Sequence, residues 1–453
     1  MKAKTPRDLA LKMLNGKSHR FDFSGNYIDE VFLRNPHLDN RDRAFIIHLF
    51  YGVLRWRLRL DWIIEQASHF SIKKITPSVL NILRLALYQI FFLDRVPESA
   101  AVNEAVKQAG RNSARHVVSF VNGILRTICR EKNKIAFPNR DEDLARYLSV
   151  FYSYPVWMIE KWIMEFGAEF AEGLLSAGNR IPELNIRVNM LKVSRTELIK
   201  RLEYEDITGG PAHYSPEGIL LEGFSGRVDE LASFRQGLFQ VQDQAAQITS
   251  HLLRPEPGET LLDICAGLGG KTTHMADLMG DRGQVLALDI NPGRLISLVE
   301  NAGRLSIGSI IPLVADASKS LSSLFRLRFD RILVDAPCSG LGVISRHPDG
   351  KWNRNESDIT RLALLQKAIL SQASTILRSG GRMLYVTCTI SREENEGVVN
   401  SFLDSNGDIS LENIKDHVPE WGLELIDEHG FFRTFPHIHN MDGFFAALFT
   451  KIK

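Results

Sequence analysis

The sequence predicts an α/β protein in which a doubly wound sheet follows an all-α module and a small α/β connecting subdomain. Residues 1–140 carry apolar side chains at helical spacing almost throughout. After residue 237, five short apolar runs alternate with helical stretches, which is the pattern of a parallel sheet covered by helices. A chain of 453 residues is also too long for one ordinary core, so several domains are expected.

The composition is typical of a globular protein, with 44% hydrophobic and 24% charged residues. Because no apolar run approaches about eighteen residues and the first residues lead into no apolar stretch, we expect neither a membrane span nor a signal peptide. A cytoplasmic location is therefore predicted. The four cysteines form no C-x-x-C pair, which argues against a disulfide framework and a zinc site, so no metal is expected.

Positive charge is concentrated in the first part of the chain. Residues 1–140 contain 24 Lys and Arg against 12 Asp and Glu, whereas residues 141–453 contain 31 against 42. A solvated surface would explain this, but such segregation favours binding to a polyanion such as RNA. The run Arg-Trp-Arg-Leu-Arg at 55–59 is consistent with phosphate contacts or with solvated arginines, and the charge of the module favours phosphate contacts.

The helical module is expected to end near a polar linker at 139–143. Helices are predicted over 42–55, 78–93, 100–109 and 116–129, with Cys129 in the core. The connecting subdomain should contain a helix over 155–166, a strand over 184–189 and a helix over 194–202 that begins with a capping box of Ser194 and Glu197. The predicted domains are residues 1–140, 145–235 and 236–453.

The third domain supplies the sheet. Its strands are predicted over 260–264, 285–288, 311–314, 331–334 and 383–386, with a long helix over 359–377. Two late segments, 423–426 and 444–449, are expected to form a terminal hairpin on one edge.

A glycine-rich loop follows the first of these strands, and its pattern is compatible with three kinds of site. A dinucleotide fingerprint would need glycine where Thr272 stands, and a P-loop would need glycine in place of Cys265 although Gly270-Lys271-Thr272 fits its end. The third kind is the loop of a nucleoside-binding methyltransferase, whose backbone approaches a small cofactor closely.

Acidic residues close the first four strands, at Asp263, Asp289, Asp316 and Asp335. Any one of them could cap a helix, but four together are hard to explain in that way. Asp289 is placed to accept hydrogen bonds from a ribose, and Asp316 to accept one from an adenine amino group. Because four acids would repel a polyphosphate, a cofactor with a sulfonium cation and no phosphate suits them better, and S-adenosylmethionine is that molecule.

Two thiols follow adjacent strands, Cys338 after the fourth and Cys388 after the fifth, and a second capping box is predicted from Ser391 and Glu394. Beside a methyl donor, two cysteines indicate chemistry at C5 of cytosine, because that carbon becomes nucleophilic only after a thiolate adds at C6. Asp335 is placed to stabilise the adduct near N3.

These features together resemble the RNA 5-methylcytosine methyltransferases of the Sun/Fmu type that carry a NusB-like front end. The motifs that carry the resemblance are Tyr51-Gly52-Val53-Leu54-Arg55, Phe120-Val121-Asn122-Gly123, Val241-Gln242-Asp243, Asp335-Ala336-Pro337-Cys338-Ser339-Gly340, Arg346-His347-Pro348-Asp349, Thr387-Cys388-Thr389, Glu394-Asn395-Glu396 and Asp442-Gly443-Phe444-Phe445. The resemblance implies a Rossmann-like S-adenosylmethionine-dependent domain, with 16S rRNA, free or in a partly assembled subunit, as the substrate of a monomer.

The resemblance also implies roles for individual residues. The nucleophile falls on Cys388 and the helper thiol on Cys338, with Asp335 beside them. The cofactor contacts fall on Cys265, Ala266, Gly267, Leu268, Gly269, Gly270, Lys271, Asp289, Asp316 and Asp335. Two other functions stay open, an RNA-stimulated P-loop-like NTPase and a non-catalytic NusB-like RNA-binding protein.

One departure from the family concerns the cofactor loop, which usually contains Ala-Pro where this chain has Gly267-Leu268. Losing a proline and gaining a glycine should make the empty loop more flexible, which raises the entropic cost of ordering it around a cofactor.

Overall fold

The structure is a computed structural model that describes residues 5–16, 25–111, 114–224 and 226–452. Its α-helices are, in chain order, α1 (Pro6–Leu14), α2 (Gly25–Leu33), α3 (Asn40–Ala67), α4 (Pro77–Phe92), α5 (Glu98–Gly110), α6 (Arg115–Glu131), α7 (Leu144–Tyr152), α8 (Val156–Phe166), α9 (Ala168–Ala177), α10 (Arg195–Tyr204), α11 (Ala232–Arg235), α12 (Gln244–Leu253), α13 (Gly270–Leu278), α14 (Pro292–Leu305), α15 (Leu321–Leu324), α16 (Gly350–Asn353), α17 (Glu356–Ile376), α18 (Glu396–Ser405) and α19 (Pro436–His439).

The strands are β1 (Leu184–Val188), β2 (Gly209–Pro211), β3 (Gly218–Leu221), β4 (Phe239–Val241), β5 (Thr260–Ile264), β6 (Gln284–Asp289), β7 (Ile310–Val314), β8 (Phe329–Asp335), β9 (Leu377–Thr387), β10 (Ile409–Glu412), β11 (Phe432–Arg433) and β12 (Phe445–Lys451). None of the described helices is both long and apolar enough to cross a membrane.

The chain folds into two compact units. The helical unit comprises the described residues up to Arg180 together with Ile344–Arg354, and the sheet unit comprises the rest. The predicted division into residues 1–140, 145–235 and 236–453 stays a prediction.

The helical unit contains the four helices predicted before the linker, as α3 to α6. Their inward faces form one core, in which Leu49, Leu83, Leu87 and Leu125 are fully buried. Helix α3 continues twelve residues beyond the predicted end and bends at Trp56, whose φ of −110° and ψ of 15° are not helical. The bend allows one continuous helix to pack against neighbours along its whole length.

The cationic run at 55–59 does not have the predicted role. Arg55 is buried and donates to the Ser345 carbonyl at 2.7 Å, and Arg59 donates to the Phe151 carbonyl at 3.2 Å while its guanidinium lies over the Phe151 ring. The Arg57 guanidinium lies 5.2 Å from the centre of the Trp352 ring. Because these cations bond to the unit itself, the prediction of phosphate contacts from this run is wrong.

The segment Ile344–Arg354 is far from the rest of the helical unit in sequence but is anchored in it by Lys351. The Lys351 ammonium is fully buried and donates to the Arg55 carbonyl at 3.1 Å, the Ser153 carbonyl at 3.3 Å and Asn179 Oδ1 at 2.6 Å. It also lies 3.6 Å from the centre of the Tyr154 ring. Burial, reinforced by the charge of Arg55, holds the pKa of Lys351 well below its usual value of 10.5.

The sheet unit begins with a four-stranded antiparallel sheet in the order β2-β3-β1-β4. Ser194 caps α10 by accepting from the backbone of Glu197 at 3.3 Å, as predicted, while the Glu197 carboxylate pairs with Arg201 on the next turn. This small sheet is the connecting element that the alternating pattern of residues 184–189 predicted.

An eight-stranded sheet follows in the order β10-β12-β9-β8-β5-β6-β7, with β11 paired to β12. Strands β7, β6, β5, β8 and β9 are parallel and contain all five predicted strands, so the doubly wound sheet is confirmed. The predicted terminal hairpin is wrong. Residues Glu420–Leu425 form a 3₁₀ helix, and β12 lies between β9 and β10 because both of its faces are apolar and must be covered.

The buried Lys351 predicts a particular pH dependence. A lysine whose pKa is lowered on folding binds its proton more weakly in the folded than in the unfolded chain. Its contribution to the free energy of unfolding is therefore fully present above pH 10.5, and it is lost as the pH falls from 10.5 through the pKa of the folded state. The free energy of unfolding of the natural chain, minus that of Lys351→Met, should therefore increase with pH below 10.5, by at most about 1.4 kcal/mol per pH unit.

Denaturant titrations at several pH values from neutral to alkaline measure this difference. Lys200→Met is a matched control, because it removes the same side chain from an exposed position on α10. A flat profile for Lys351→Met would show that its hydrogen-bond acceptors fully offset the burial of the ammonium.

Candidate active site

The glycine-rich loop between β5 and α13 is a tight turn with several left-handed residues. Cys265, Gly267 and Gly269 have φ angles of 64°, 58° and 81°. A Cβ at Gly269 would lie 2.4 Å from Leu298 Cγ, so no larger residue fits there without moving α14. Helix α13 begins immediately afterwards, and its first-turn N–H groups lack partners within the helix.

Asp289, the last residue of β6, holds this loop from the neighbouring strand. Its carboxylate accepts from the Gly267 N–H at 2.9 Å and from the Asn291 N–H at 2.8 Å. A carboxylate has about four lone-pair sites, so two acceptor positions are left after these backbone contacts. Asp289 thus both shapes the loop and has the capacity to accept hydrogen bonds from a ligand.

The other two acids near the loop have different surroundings. Asp263 is buried beneath the loop, where it accepts from the Thr272 hydroxyl at 2.5 Å, and burial raises its pKa to about 7. Asp316 lies just beyond β7, and its carboxylate accepts from the N–H of Ser318 at 2.9 Å and from its hydroxyl at 2.7 Å, which lowers the pKa of Asp316.

Lys271 and Asp335 form an ion pair between the loop helix and the end of β8. The Lys271 ammonium lies 2.7 Å from Asp335 Oδ2 and 5.2 Å from the centre of the Phe444 ring. Burial alone would lower the pKa of Lys271, but Asp335 outweighs it, so that pKa is raised and the charge is kept.

The two thiols are in contact. Asp335 lies opposite Val386 in the parallel pairing of β8 with β9, so the residues after both strands leave the same edge of the sheet. Cys338 Sγ is 3.3 Å from Cys388 Sγ. The hydrogen bond to Cys388 and then burial raise the pKa of the Cys338 thiol well above its usual value. The two sulfurs are therefore close enough to act on the same substrate atom.

Glu394 is a site residue that the sequence prediction missed. The carboxylate is fully buried and accepts from the Ser339 N–H at 2.8 Å, from Gln366 Nε2 at 3.0 Å and from the Thr389 hydroxyl at 3.3 Å, besides the Ser339 hydroxyl. It thereby joins the turn that carries Cys338 to the strand end that carries Cys388. Burial, which outweighs these hydrogen bonds, raises the pKa of Glu394.

The predicted capping box of Ser391 and Glu394 is therefore wrong. Helix α18 begins at Glu396 with Asn395 as its N-cap, four residues later than the box requires. The Glu394 carboxylate is buried with three buried partners, whereas a capping residue is usually exposed. The four-residue sequence pattern contains no information on that burial.

Ile290 was missed as well. It follows Asp289 directly, and 66% of its surface is exposed although it is a large apolar residue. Leu268, in the loop itself, is 60% exposed. Exposed apolar side chains next to residues that a carboxylate holds in place are compatible with a ligand site, because a flat apolar ring could pack on them. An apolar residue directly after a strand-end acid was the signal available in the sequence.

Comparison with protein families gives three matches along the chain. The family described as 16S rRNA methyltransferase RsmB/F matches residues 250–450. The NusB family matches residues 4–130, and the ferredoxin-like domain of RsmF/B-like methyltransferases matches residues 154–227.

Individual relatives cover the whole chain. The probable ribosomal RNA small subunit methyltransferase B of Synechocystis sp. is 36% identical over 445 residues, 98% of this chain and 99% of the relative. The crystal structure of PH0851 is 27% identical with a TM-score of 0.82, covering 100% of this chain and 99% of that one.

NSun6 from Pyrococcus horikoshii, solved with SFG, is 25% identical with a TM-score of 0.60 over 67% of this chain and 100% of its own. With its NusB, ferredoxin-like and methyltransferase domains in that order, and a full-length relative above 30% identity, the chain belongs to the 16S rRNA methyltransferase RsmB/F family.

Proposed function

We propose that this protein transfers a methyl group from S-adenosylmethionine to C5 of a cytosine in 16S rRNA, through a covalent bond between Cys388 and C6. The observation that carries the proposal is the contact of the two thiols, Cys338 and Cys388, at 3.3 Å beside the Lys271–Asp335 ion pair. The names of the family and of the Synechocystis relative support rRNA of the small subunit as the substrate.

The residues of the loop fit S-adenosylmethionine. Asp289 has acceptor capacity for the ribose hydroxyls, and the exposed Ile290 offers an apolar face to the adenine ring. The first turn of α13 offers N–H groups to the carboxylate of the methionine part. When bound, this cofactor supplies an electrophilic methyl group on a sulfonium sulfur. NSun6, solved with SFG, is a structural neighbour of the same fold.

Each protein group has a role in the proposed reaction. The Cys388 thiolate adds to C6, and the electron pair of the C5–C6 double bond then attacks the methyl group from C5. The Lys271–Asp335 pair lies at the same sheet edge, where a carboxylate beside N3 stabilises the adduct. Transfer of the C5 proton to water reforms the C5–C6 double bond and expels the Cys388 thiolate, and Cys338, whose sulfur lies 3.3 Å away, assists this departure.

The two thiols are distinguished by trapping. Cys388→Ala should abolish methyl transfer and any covalent RNA complex, because the bond to C6 cannot form. Cys338→Ala should still attack and methylate but release the product slowly, so a denaturant-resistant protein–RNA adduct should accumulate in this variant alone. Denaturing gels of both variants with cofactor and 16S rRNA measure the adduct.

Cys129→Ala is the matched control, since Cys129 lies in α6 of the helical unit, and it should methylate without accumulating adduct. An adduct in Cys388→Ala and none in Cys338→Ala would reverse the roles of the two thiols. The absence of an adduct from every variant, with methylation retained, would exclude covalent catalysis.

Asp289 tests the cofactor assignment. Asp289→Ala removes a charged acceptor and the support of Gly267, so the affinity for S-adenosylmethionine should fall at least about tenfold, or about 1.4 kcal/mol, whereas RNA affinity should change little. Calorimetric titration measures the first and gel shift the second. Asp404→Ala, at an exposed position of α18, is the control. Unchanged cofactor affinity in Asp289→Ala would restrict Asp289 to a structural role.

RNA contact is assigned to the exposed face of α6. Arg115 and Arg126 are exposed there and lie three helical turns apart on one side. Replacing both by alanine should reduce the slope of log affinity against log salt concentration by about 1.4, since each phosphate contact with single-stranded RNA contributes about 0.7. Arg201→Ala, on α10 of the sheet unit, should leave the slope unchanged. Equal slopes for the natural chain and all variants would show that Arg115 and Arg126 of α6 do not contact RNA phosphates.

The two alternative functions are less well supported. A P-loop would direct its lysine at a phosphate, whereas the Lys271 ammonium is paired with Asp335 at 2.7 Å. A purely RNA-binding protein would have no use for two thiols in contact beside that ion pair.

A further inference from the structure

Three side chains from distant parts of the sheet unit converge away from the cysteines. Glu217 precedes β3, His251 lies in the last turn of α12, and His274 lies in α13, one turn after Lys271. Their ligand atoms all lie within 4.8 Å of one another. No sequence motif joins these positions, so the cluster follows from the packing of the small sheet against the two helices.

The two ring nitrogens of His274 lack hydrogen-bond partners in the described part of the chain. The residue is also fully buried. A neutral imidazole has one donor and one acceptor, and burying either of them without a partner destabilises the folded protein. Native proteins rarely leave such groups unsatisfied, so a missing partner is the simplest explanation.

The geometry suits a metal ion as that partner. Glu217 Oε2 lies 2.8 Å from His251 Nε2 and 3.9 Å from His274 Nε2. Two ligand atoms on one tetrahedral zinc ion, each about 2.1 Å from it, lie about 3.4 Å apart. Both observed separations are within about 0.6 Å of that value, so small side-chain movements would bring the three atoms into coordinating positions.

The positive charge of the nearby Arg187 disfavours a cation at this cluster. Arg187 is almost fully buried and donates to the Gly270 carbonyl at 2.6 Å and to the Thr273 hydroxyl at 3.0 Å, besides Gln242. The hydrogen bonds of Arg187 therefore go to α13 and to the connection between β4 and α12, and not to Glu217. The charges of Asp277 and Glu217 act on Arg187 and offset it, so the region is not strongly cationic without a metal.

We propose that Glu217, His251 and His274 bind one divalent transition-metal ion, with zinc the best match to two imidazoles and one carboxylate and with water at the fourth position. The ion would join the small antiparallel sheet to α12 and α13. Because α13 begins at the cofactor loop, metal binding would stabilise the segment that Gly269 and Lys271 belong to.

The test uses the tag-free full chain after dialysis against a chelator. Calorimetric titration with zinc chloride should show one equivalent bound with micromolar or tighter affinity, and cobalt(II) in its place should give the intense visible absorption of a tetrahedral site. The melting temperature should rise on zinc addition. Magnesium chloride should do neither, because Mg²⁺ prefers oxygen ligands.

Variants assign the site. His251→Ala should weaken zinc binding at least tenfold while the protein still folds, because His251 is at the partly exposed end of its helix. His274→Gln should also lose binding, and its circular dichroism shows whether it is folded. His429→Ala, an exposed histidine of the same unit, should bind zinc as the natural chain does. No stoichiometric zinc binding by the natural chain, or equal binding by His251→Ala, would overturn the proposal.

Discussion

The arrangement of the site depends on the parallel pairing of β8 with β9. Asp335 lies opposite Val386, and the Ala336 N–H continues the pairing by donating to the Val386 carbonyl at 2.9 Å. Gly342 then donates to the Cys388 carbonyl at 3.0 Å, which closes the turn that contains Cys338. A slip of one residue would turn every side chain of β9 to the opposite face, so the buried faces on both sides fix the register that brings the thiols together.

Much of the fold follows from local patterns, because apolar periodicity reports which faces are buried. All five predicted parallel strands and the helices of the first module are present, since their side chains repeat at the spacing of the element. Features that depend on distant partners were not predictable in this way. The cationic run at 55–59 satisfies its charges on Phe151 and Ser345, and nothing near it in sequence indicates such partners.

The candidate site shows the same limit residue by residue. The positions of Asp289 and Asp335 follow from where the strands end, but their partners, a backbone N–H of the loop and the Lys271 ammonium, come from other elements. Glu394 was assigned to a helix cap because its spacing from Ser391 fits that motif. The structure uses it instead as a buried acceptor for two separate segments, a role that only the tertiary fold defines.

The membership of Ile344–Arg354 in the helical unit has a consequence for biosynthesis. The carbonyl groups of Arg55 and Ser153 are synthesised well before Lys351, and they receive its ammonium only after that residue has left the ribosome. At elongation rates of roughly 5 to 20 residues per second, the chain from Arg180 to Arg354 takes about 9 to 35 s to make. During that interval the two carbonyl groups have no contact with Lys351, so this buried anchor forms only when the segment that directly follows the Cys338 turn has been translated.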